Sequence, residues 1–340
     1  MLVVGSTIGQ DDHRGPSWHP EQPARLRAAH DGLIDAGLLD AVVDVRPRPA
    51  AAAELHRVHT SAYLGWLEER CAEGRDIDDD TFVSSGSWET ALLAAGTGLQ
   101  VVEAVDEGLG DAGIVLVRPP GHHAGREQAM GFCLVNNVAV AAAALAERGE
   151  RVAIVDWDVH HGNGTQDLFW NDPRVLYVSL HQRGLFPFTG RVVEVGGPDA
   201  CGLTVNLPLP AGVTGDVLRH AVDAVIGPAV ERFGATWLLL SAGFDGHRAD
   251  PLAQWELTSG DFADLAGALA VGAPNVRTVA FLEGGYDLAA LRLSTGAVAA
   301  ALIGERFRPE GASAEGPGRA DVDTIAGWRS SQSFPLSASH

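Results

Sequence analysis

The chain has 340 residues, of which 46% are hydrophobic, so it can bury a large core as one large domain or two ordinary ones. Its net charge of -20 disfavours binding to nucleic-acid phosphates and favours cationic ligands, and all 24 basic residues are arginine. No apolar stretch approaches the roughly 20 residues that span a bilayer, the first residues lack the basic and apolar regions of a signal peptide, and the three cysteines fit neither a disulfide framework nor a zinc knuckle. The composition therefore predicts a soluble cytoplasmic protein that binds neither nucleic acid nor membrane.

Short runs rich in β-branched residues alternate with longer alanine-rich segments, a pattern typical of an α/β fold with a mostly parallel sheet. The predicted strands are 42–45, 113–117, 151–158, 174–181, 236–244 and 277–285. The predicted helices are 87–107, 134–148, 215–233, 258–271 and 288–303. No linker or repeat interrupts residues 1–305, so we expect one catalytic domain over residues 1–308. The tail, 309–340, is expected to be irregular or docked through Trp328 and Phe334.

Polar side chains gather where the predicted strands end. In chain order, the segments at these ends are RPPGHHA, DVHHGNG, SLHQ, GFDGHRADP and EGGYD. Ligands of open parallel sheets bind outside the carboxyl ends of the strands, where loops and helix N-termini converge. Five strand ends therefore predict one polar site.

Asp156, Asp158 and His160 share one face of an extended strand, because alternate residues point the same way. Buried carboxylates are costly unless they are paired or bind a metal. One imidazole and two carboxylates can hold a catalytic zinc with a fourth position open, and Asp245 is the candidate for the remaining ligand. Fe²⁺ or Co²⁺ suits the same donor set. The structural alternative makes the two aspartates helix caps and His160 a core residue, but it leaves the polar residues of the other strand ends unexplained.

Two further features suit catalysis. His122 and His123 follow Pro119, Pro120 and Gly121 on a stiff loop, where they can act as general acid and base. Tyr286 follows two glycines, whose missing side chains let a phenol approach a substrate and donate a hydrogen bond to an oxyanion. Taken alone, the histidine pair is also typical of a polar loop, and GGY of a tight turn.

The ordered segments RPPGHHA, GFCLVNN, DWDVHHGNGTQ, YVSLHQ, GFDGHRADPL and EGGYD resemble the signature of the histone deacetylase superfamily. The resemblance extends from HPEQPARL at 19–26 to EGGYDL at 283–288, and it is closer to the branch of class II histone deacetylases, acetylpolyamine amidohydrolases and acetoin-utilisation proteins than to class I. It implies the arginase-deacetylase fold, a single α/β domain around a mostly parallel sheet. It also implies a zinc-dependent deacetylase that removes acetyl or short acyl groups from N-acylated amines such as acetyl-lysine by metal-activated water.

The resemblance also implies catalytic roles. His123 would be the general base, His122 its acid or electrostatic partner, and Tyr286 the donor to the oxyanion. Asp156 would orient His122, whereas Asn163 stands where many members have an aspartate beside the other histidine. Because an asparagine accepts a hydrogen bond but brings no charge, His123 is expected to be the less basic histidine.

By the same resemblance, Asp158, His160 and Asp245 would bind the zinc. Arginase relatives hold two manganese ions with a further aspartate, which here is Gly162, so we expect one catalytic metal. A structural potassium site is also implied. Its residues would be Asp156, Asp158, His160, Ser179 and Leu180.

The substrate tunnel is predicted from the resemblance as well. Phe132 and Phe186 match the aromatic pair that lines it, and Gly131 leaves room for an extended chain. Phe188 replaces a glycine usual in the family and is expected to narrow or reshape the rim. Leu252 stands where polyamine-specialised members can have an acidic residue, which favours acyl-lysine-like substrates over acetylpolyamines.

Two alternatives stay open at this level. The substrate can be an acetylpolyamine or another small metabolite, and the protein can be a non-catalytic metal-binding or partner-binding protein. The sequence leaves open whether the chain forms a homo-oligomer.

Overall fold

The structure is a computed structural model that describes residues 1–272, 276–332 and 334. Its centre is one sheet of eight parallel strands. They are β1 (Leu2–Ser6), β2 (Val42–Val45), β3 (Ala112–Leu116), β4 (Val152–Asp156), β5 (Val175–Gln182), β6 (Thr204–Leu209), β7 (Trp237–Ala242) and β8 (Arg277–Leu282). Across the sheet the strand order is β2-β1-β3-β8-β7-β4-β5-β6.

Eleven α-helices surround this sheet within the described ranges. They are α1 (Ala24–Asp35), α2 (Ala52–Leu55), α3 (Ser61–Glu73), α4 (Ser87–Asp106), α5 (Asn137–Glu147), α6 (Asn163–Leu168), α7 (Gly215–Ala221), α8 (Gly227–Phe233), α9 (Ser259–Gly272), α10 (Leu288–Leu302) and α11 (Arg319–Ser331). A π-helical turn, Val222–Ile226, joins α7 to α8, just before Pro228, which has no N–H to donate. None of the helices in the described part of the chain is long and apolar enough to cross a membrane.

Both faces of the sheet are buried under helices. On β4, Ala153 and Val155 belong to the apolar cluster under α1, α7, α9 and α10, whereas Val152 and Ile154 belong to the cluster under α3, α4 and α5. Since successive strand residues point to opposite faces, burial of both faces requires an unbroken apolar run. This is why most of the strands are readable from the sequence.

All six predicted strands and all five predicted helical segments are present, with ends shifted by a few residues. β1 and β6 were not predicted. β6 reads TVNLPL, and Pro208 weakens the strand signal; the structure places it at the edge of the sheet, where a missing N–H is tolerated. The helical segment 215–233 is divided by the π turn, which the sequence pattern does not reveal.

The C-terminal segment is helical where an irregular tail was one of the expectations. Val322 and Ile325 of α11 are buried, and the Arg329 guanidinium donates to the backbone oxygen of Gly202 at 2.8 Å. The side chain of Phe334 packs against the same glycine. Residues 333 and 335–340 lie outside the described residues. Amphipathic packing of one helical face therefore fixes residues 319–331 to the body of the protein.

His59 makes the fold sensitive to acid. His59 is 1% exposed; its Nδ1 lies 2.9 Å from the backbone oxygen of Gly125, and its Nε2 accepts the N–H of Asn136 at 3.1 Å. Burial lowers the pKa of His59 to about 4. The folded-state pKa of His59 is thus lower than its unfolded-state pKa of roughly 6.5. The contribution of the neutral ring to stability is therefore complete above about pH 6.5 and is lost as the pH falls towards 4.

We therefore expect the free energy of unfolding to fall by about 2 kcal/mol between pH 7.5 and pH 5 through His59 alone. The difference in stability between the wild type and His59→Gln, measured by urea unfolding, should shrink by this amount over the same pH interval. His56→Gln, a change at an exposed histidine, is the matched control. A difference that is constant with pH would show that protonation of His59 does not destabilise the fold.

Candidate active site

The three predicted metal ligands meet at the carboxyl ends of β4 and β7. Asp158 and His160 follow β4, and Asp245 follows β7; one ligand atom from each lies within 4.8 Å of the other two. His160 Nδ1 is 3.1 Å from Asp158 Oδ1 and 3.0 Å from Asp245 Oδ2. Both aspartates are buried, and the side chain of His160 is 12% exposed. The structure thus brings the predicted ligands together with their donor atoms converging.

Backbone N–H groups hold the outer oxygens of the two aspartates. Gly284 donates to Asp158 Oδ2 at 2.8 Å, and Val159 donates to Asp245 Oδ1 at 3.0 Å. Among the described residues, no arginine lies within ion-pair distance of Asp158 or Asp245. Burial and the negative charge of Asp158 raise the pKa of Asp245 to about 7. Two buried carboxylates and one imidazole, without an arginine to balance the charge, fit a divalent metal ion.

Gly284 lies directly behind this cluster. A Cβ added there would be 2.2 Å from Asp245 Oδ2 and 2.5 Å from Asp158 Oδ2, closer than any real contact. We expect Gly284→Ala to push the two carboxylates apart and to weaken metal affinity by at least about tenfold, the scale seen when groups that orient metal ligands are disturbed. Gly267→Ala is the control, since its added Cβ would have a neighbour only at 4.0 Å. Isothermal titration with Zn²⁺ measures the effect, and equal affinity in both variants would contradict it.

The two catalytic-histidine candidates differ in their partners. His122 Nδ1 lies 3.0 Å from Asp156 Oδ2, and His123 Nδ1 lies 2.9 Å from Asn163 Oδ1. Burial opposes protonation of His122, but the charges of Asp156 and Asp158 outweigh it and raise its pKa to about 10. Burial and the nearby charge of His122 hold the pKa of His123 well below its ordinary value. His122 is therefore the cationic member of the pair, and His123 is neutral with Nε2 free to accept a proton.

Glu283 was not singled out from the sequence, although it begins the EGGYD segment. Its carboxylate is buried at the end of β8, where it accepts the N–H groups of Gly121 and His122 at 2.6 and 3.1 Å and the hydroxyl of Ser241 at 3.1 Å. Burial raises its pKa to about 7. Glu283 fixes the backbone of the histidine loop. It also forms a second group of potential metal ligands with His122 and Cys133, but its oxygens already accept three hydrogen bonds.

Tyr286 is held by residues that are not among the predicted site residues. Asp250 Oδ2 accepts the backbone N–H of Tyr286 at 2.6 Å, and the Arg25 guanidinium lies 4.9 Å from the centre of the phenol ring. Arg25 also donates to the backbone oxygen of Gly285 at 2.7 Å. Burial raises the pKa of Tyr286 well above its usual range, so its hydroxyl keeps its proton and can donate a hydrogen bond.

A cavity of about 230 Å³ leads to these groups. The lining residues are Asp80, Pro120, His122, His123, Gly131, Phe132, His160, Leu185, Phe186, Leu252 and Tyr286. The cavity thus joins the histidine pair, the tyrosine and a metal ligand to a wall of aromatic and aliphatic side chains.

Gly131 has a specific steric role in this cavity. Its φ is +55°, and an added Cβ would be 2.6 Å from the His123 ring and 2.8 Å from the Phe186 ring. Of the five residues predicted to contact substrate, Phe188 does not line the cavity: the residue is 76% exposed, and its φ is +66°. Asp80, which is not among the predicted site residues, is exposed but does line the cavity.

Comparisons with known proteins identify relatives of this chain. The histone deacetylase domain family matches residues 19–302. The chain is 38% identical over 295 residues to a probable deacetylase of Archaeoglobus fulgidus, covering 84% of this chain and 82% of the relative. It is 38% identical over 295 residues to the histone deacetylase-like amidohydrolase of Pseudomonas aeruginosa, covering 84% and 76% of the two chains.

Among solved structures, the HDA15 HD domain matches with a TM-score of 0.85 and 36% sequence identity, over 90% of this chain and 91% of that one. This match confirms the predicted arginase-deacetylase α/β fold. The extent of the family match and the identity to its members lead to one conclusion: the chain belongs to the histone deacetylase family.

Proposed function

We propose that the protein is a deacetylase that uses one bound metal ion to hydrolyse N-acylated amines. One observation carries the proposal: an unequal pair of histidines, a protonated tyrosine and His160 line the same cavity, and His160 converges with Asp158 and Asp245 as metal-ligand candidates. A bound divalent ion would supply Lewis acidity at the acyl oxygen and lower the pKa of a water ligand. Asp158, His160 and Asp245 would hold it.

The remaining steps belong to the side chains of the chain itself. His123 Nε2 accepts the proton that water loses as its oxygen attacks the acyl carbon. The Tyr286 hydroxyl donates a hydrogen bond to the carbonyl oxygen as that oxygen becomes negative. The C–N bond then breaks, and a proton returned from the histidine pair leaves with the amine nitrogen. The cationic His122, oriented by Asp156, stabilises the negative charge, and Asn163 keeps His123 neutral before the reaction by adding no charge of its own.

The cavity favours an acyl group on a slender, flexible amine. A volume of about 230 Å³ between Phe132 and Phe186 suits an acetyl group and a short methylene chain, as in acetyl-lysine. Asp80 lies in the cavity lining and is exposed, so its carboxylate can accept N–H groups or attract a positive charge just beyond that chain. Leu252 adds an apolar side chain to the cavity wall, which cannot form a hydrogen bond or an ion pair with the second amine of a polyamine. An acetyl-lysine peptide is therefore our leading substrate.

An acetylpolyamine is the second candidate, because Asp80 would also attract its ammonium groups. Release of acetate from an acetyl-lysine peptide panel, from acetylputrescine and from acetylspermidine distinguishes the two. We expect kcat/KM to be higher for the peptides, and higher values for both polyamines would reverse the assignment. A zinc-loaded, folded protein that releases acetate from none of them would contradict the proposed function and favour a non-catalytic binding role.

Zinc is the proposed metal by family resemblance and donor chemistry, since two carboxylates and one imidazole also suit Fe²⁺ or Co²⁺. A structural potassium ion near the ends of β4 and β5 is proposed on the same ground. Asp156 and Ser179 are register partners on these two strands. Asp158, His160 and Leu180 are the other residues of the proposed potassium site. Cytoplasmic location and any homo-oligomer stay predictions.

A further inference from the structure

The C-terminal segment that follows α10 contacts the loop between β7 and α9. We define this loop, residues 243–252, as the Asp245 loop. It carries one proposed metal ligand, Asp245; the carboxylate that binds the backbone of Tyr286, Asp250; and one residue of the cavity wall, Leu252. Any group that fixes this loop therefore acts on three parts of the proposed reaction centre.

Glu310 is such a group. Its Oε2 accepts hydrogen bonds from His247 Nε2 at 2.8 Å and from the backbone N–H and hydroxyl of Ser259, each at 2.9 Å. Its Oε1 accepts from the Arg248 guanidinium at 2.6 Å. The side chain of Glu310 is only 17% exposed. One carboxylate thus binds the middle of the Asp245 loop to the start of α9.

The orientation of His247 shows that the contact is directional. His247 is 4% exposed, and its Nδ1 accepts the backbone N–H of Ala249 at 3.1 Å. The other ring nitrogen therefore carries the proton that is donated to Glu310. The backbone N–H of His247 donates to the oxygen of Phe244 at 3.1 Å, directly before Asp245. Displacement of the His247 ring would consequently disturb the turn that presents Asp245.

The segment around Glu310 is itself fixed to α9. Arg308 donates to Asp264 at 2.8 Å, the oxygen of Gly311 accepts the Thr258 hydroxyl at 2.7 Å, and the N–H of Ser313 donates to Asp261 at 3.0 Å. Glu310 lies beyond residues 19–302, the part of the chain that matches the family. The contact is therefore supplied from outside the matched domain.

We propose that Glu310 is a positioning residue, which holds the Asp245 loop in the geometry that retains the metal. The proposal rests on the proposed function, because it takes Asp245 to be a metal ligand. Loss of groups that orient metal ligands typically weakens affinity by about 10-fold to 100-fold. Glu310→Ala, which removes all four hydrogen bonds, is expected to release metal at least about tenfold faster than the wild type.

The experiment follows transfer of Zn²⁺ from the loaded full-length protein to a chromogenic chelator, at a temperature where circular dichroism shows every variant to be folded. Glu310→Asp keeps the charge but shortens the side chain, and it serves as the second disruptive variant if Glu310→Ala does not fold. Glu310→Gln is the rescue variant, since its amide oxygen can still accept from His247 and Ser259. Glu305→Ala, at an exposed glutamate of the same segment, is the control.

Fast release from Glu310→Ala or Glu310→Asp, with slow release from Glu310→Gln and Glu305→Ala, is the expected result. Excess Zn²⁺ should then restore acetate release by the fast-releasing variants. Wild-type release rates in both disruptive variants, or equally fast release from Glu310→Gln, would overturn the positioning role. A wild-type protein that binds no Zn²⁺ would instead overturn the proposed metal site itself.

Discussion

Replacing Asp245 by asparagine is expected to lower kcat/KM by more than about a thousandfold, which corresponds to about 4 kcal/mol of transition-state stabilisation. The substitution keeps the size of the side chain and an oxygen that can accept the N–H of Val159 at 3.0 Å in the present structure. It removes one of the two negative charges that face His160. A site with one carboxylate and one imidazole would hold a divalent ion too weakly to sustain turnover.

This effect is measured as metal content by mass spectrometry together with kcat/KM for the best peptide substrate. Asp223→Asn is the matched control, because Asp223 is exposed, lies on the π turn and does not line the cavity. Metal content and kcat/KM should both fall in Asp245→Asn, and neither should fall in the control. Full activity with full metal content in Asp245→Asn would remove Asp245 from the set of ligands.

Replacing Tyr286 by phenylalanine is expected to lower kcat about 100-fold to 1,000-fold, with little change in KM, because an oxyanion donor acts mainly in the transition state. The ring should stay in place without its hydroxyl. Asp250 holds the backbone of residue 286, and Phe132 and Arg25 pack against the ring with centre distances of 5.7 and 4.9 Å. Steady-state kinetics with an acetyl-lysine peptide provides the measurement.

Tyr63→Phe is the matched control for this change. It also removes a buried tyrosine hydroxyl, which donates to the oxygen of Leu134 at 2.6 Å, but Tyr63 does not line the cavity. Its loss should cost about 1 kcal/mol of stability and leave kcat near the wild-type value. An unchanged kcat in Tyr286→Phe, or an equal decrease in both variants, would show that the hydroxyl of Tyr286 is not the oxyanion donor.

The sequence predicts the strands best where both faces of a strand are buried. The runs that became β4, β5, β7 and β8 are nearly all apolar because neither face meets water. The helix of the tail is harder to predict, because α11 is largely polar and only Val322 and Ile325 of its residues are buried. Its helix depends on packing that a local pattern does not show.

The residues of the candidate site also differ in how far the sequence indicates them. Residues directly after strands, such as Asp158 and Asp245, could be selected because parallel strands end at a common edge. Residues that act through partners distant in the chain could not be selected from the sequence. Arg25 and Gly285 are hydrogen-bonded across 260 positions of the chain, and nothing in the local sequence of either residue indicates the other. Asp80 lines the cavity only because the fold brings its loop there.

We propose that Asp158, His160 and Asp245 hold the metal beside the cavity. Anomalous X-ray diffraction from crystals of the zinc-loaded protein with a hydroxamate inhibitor tests it most directly. We expect one strong zinc peak per chain among these three side chains, with the inhibitor passing between Phe132 and Phe186. A zinc peak at the other group of potential ligands, His122, Cys133 and Glu283, or no peak in the cavity, would contradict the claim.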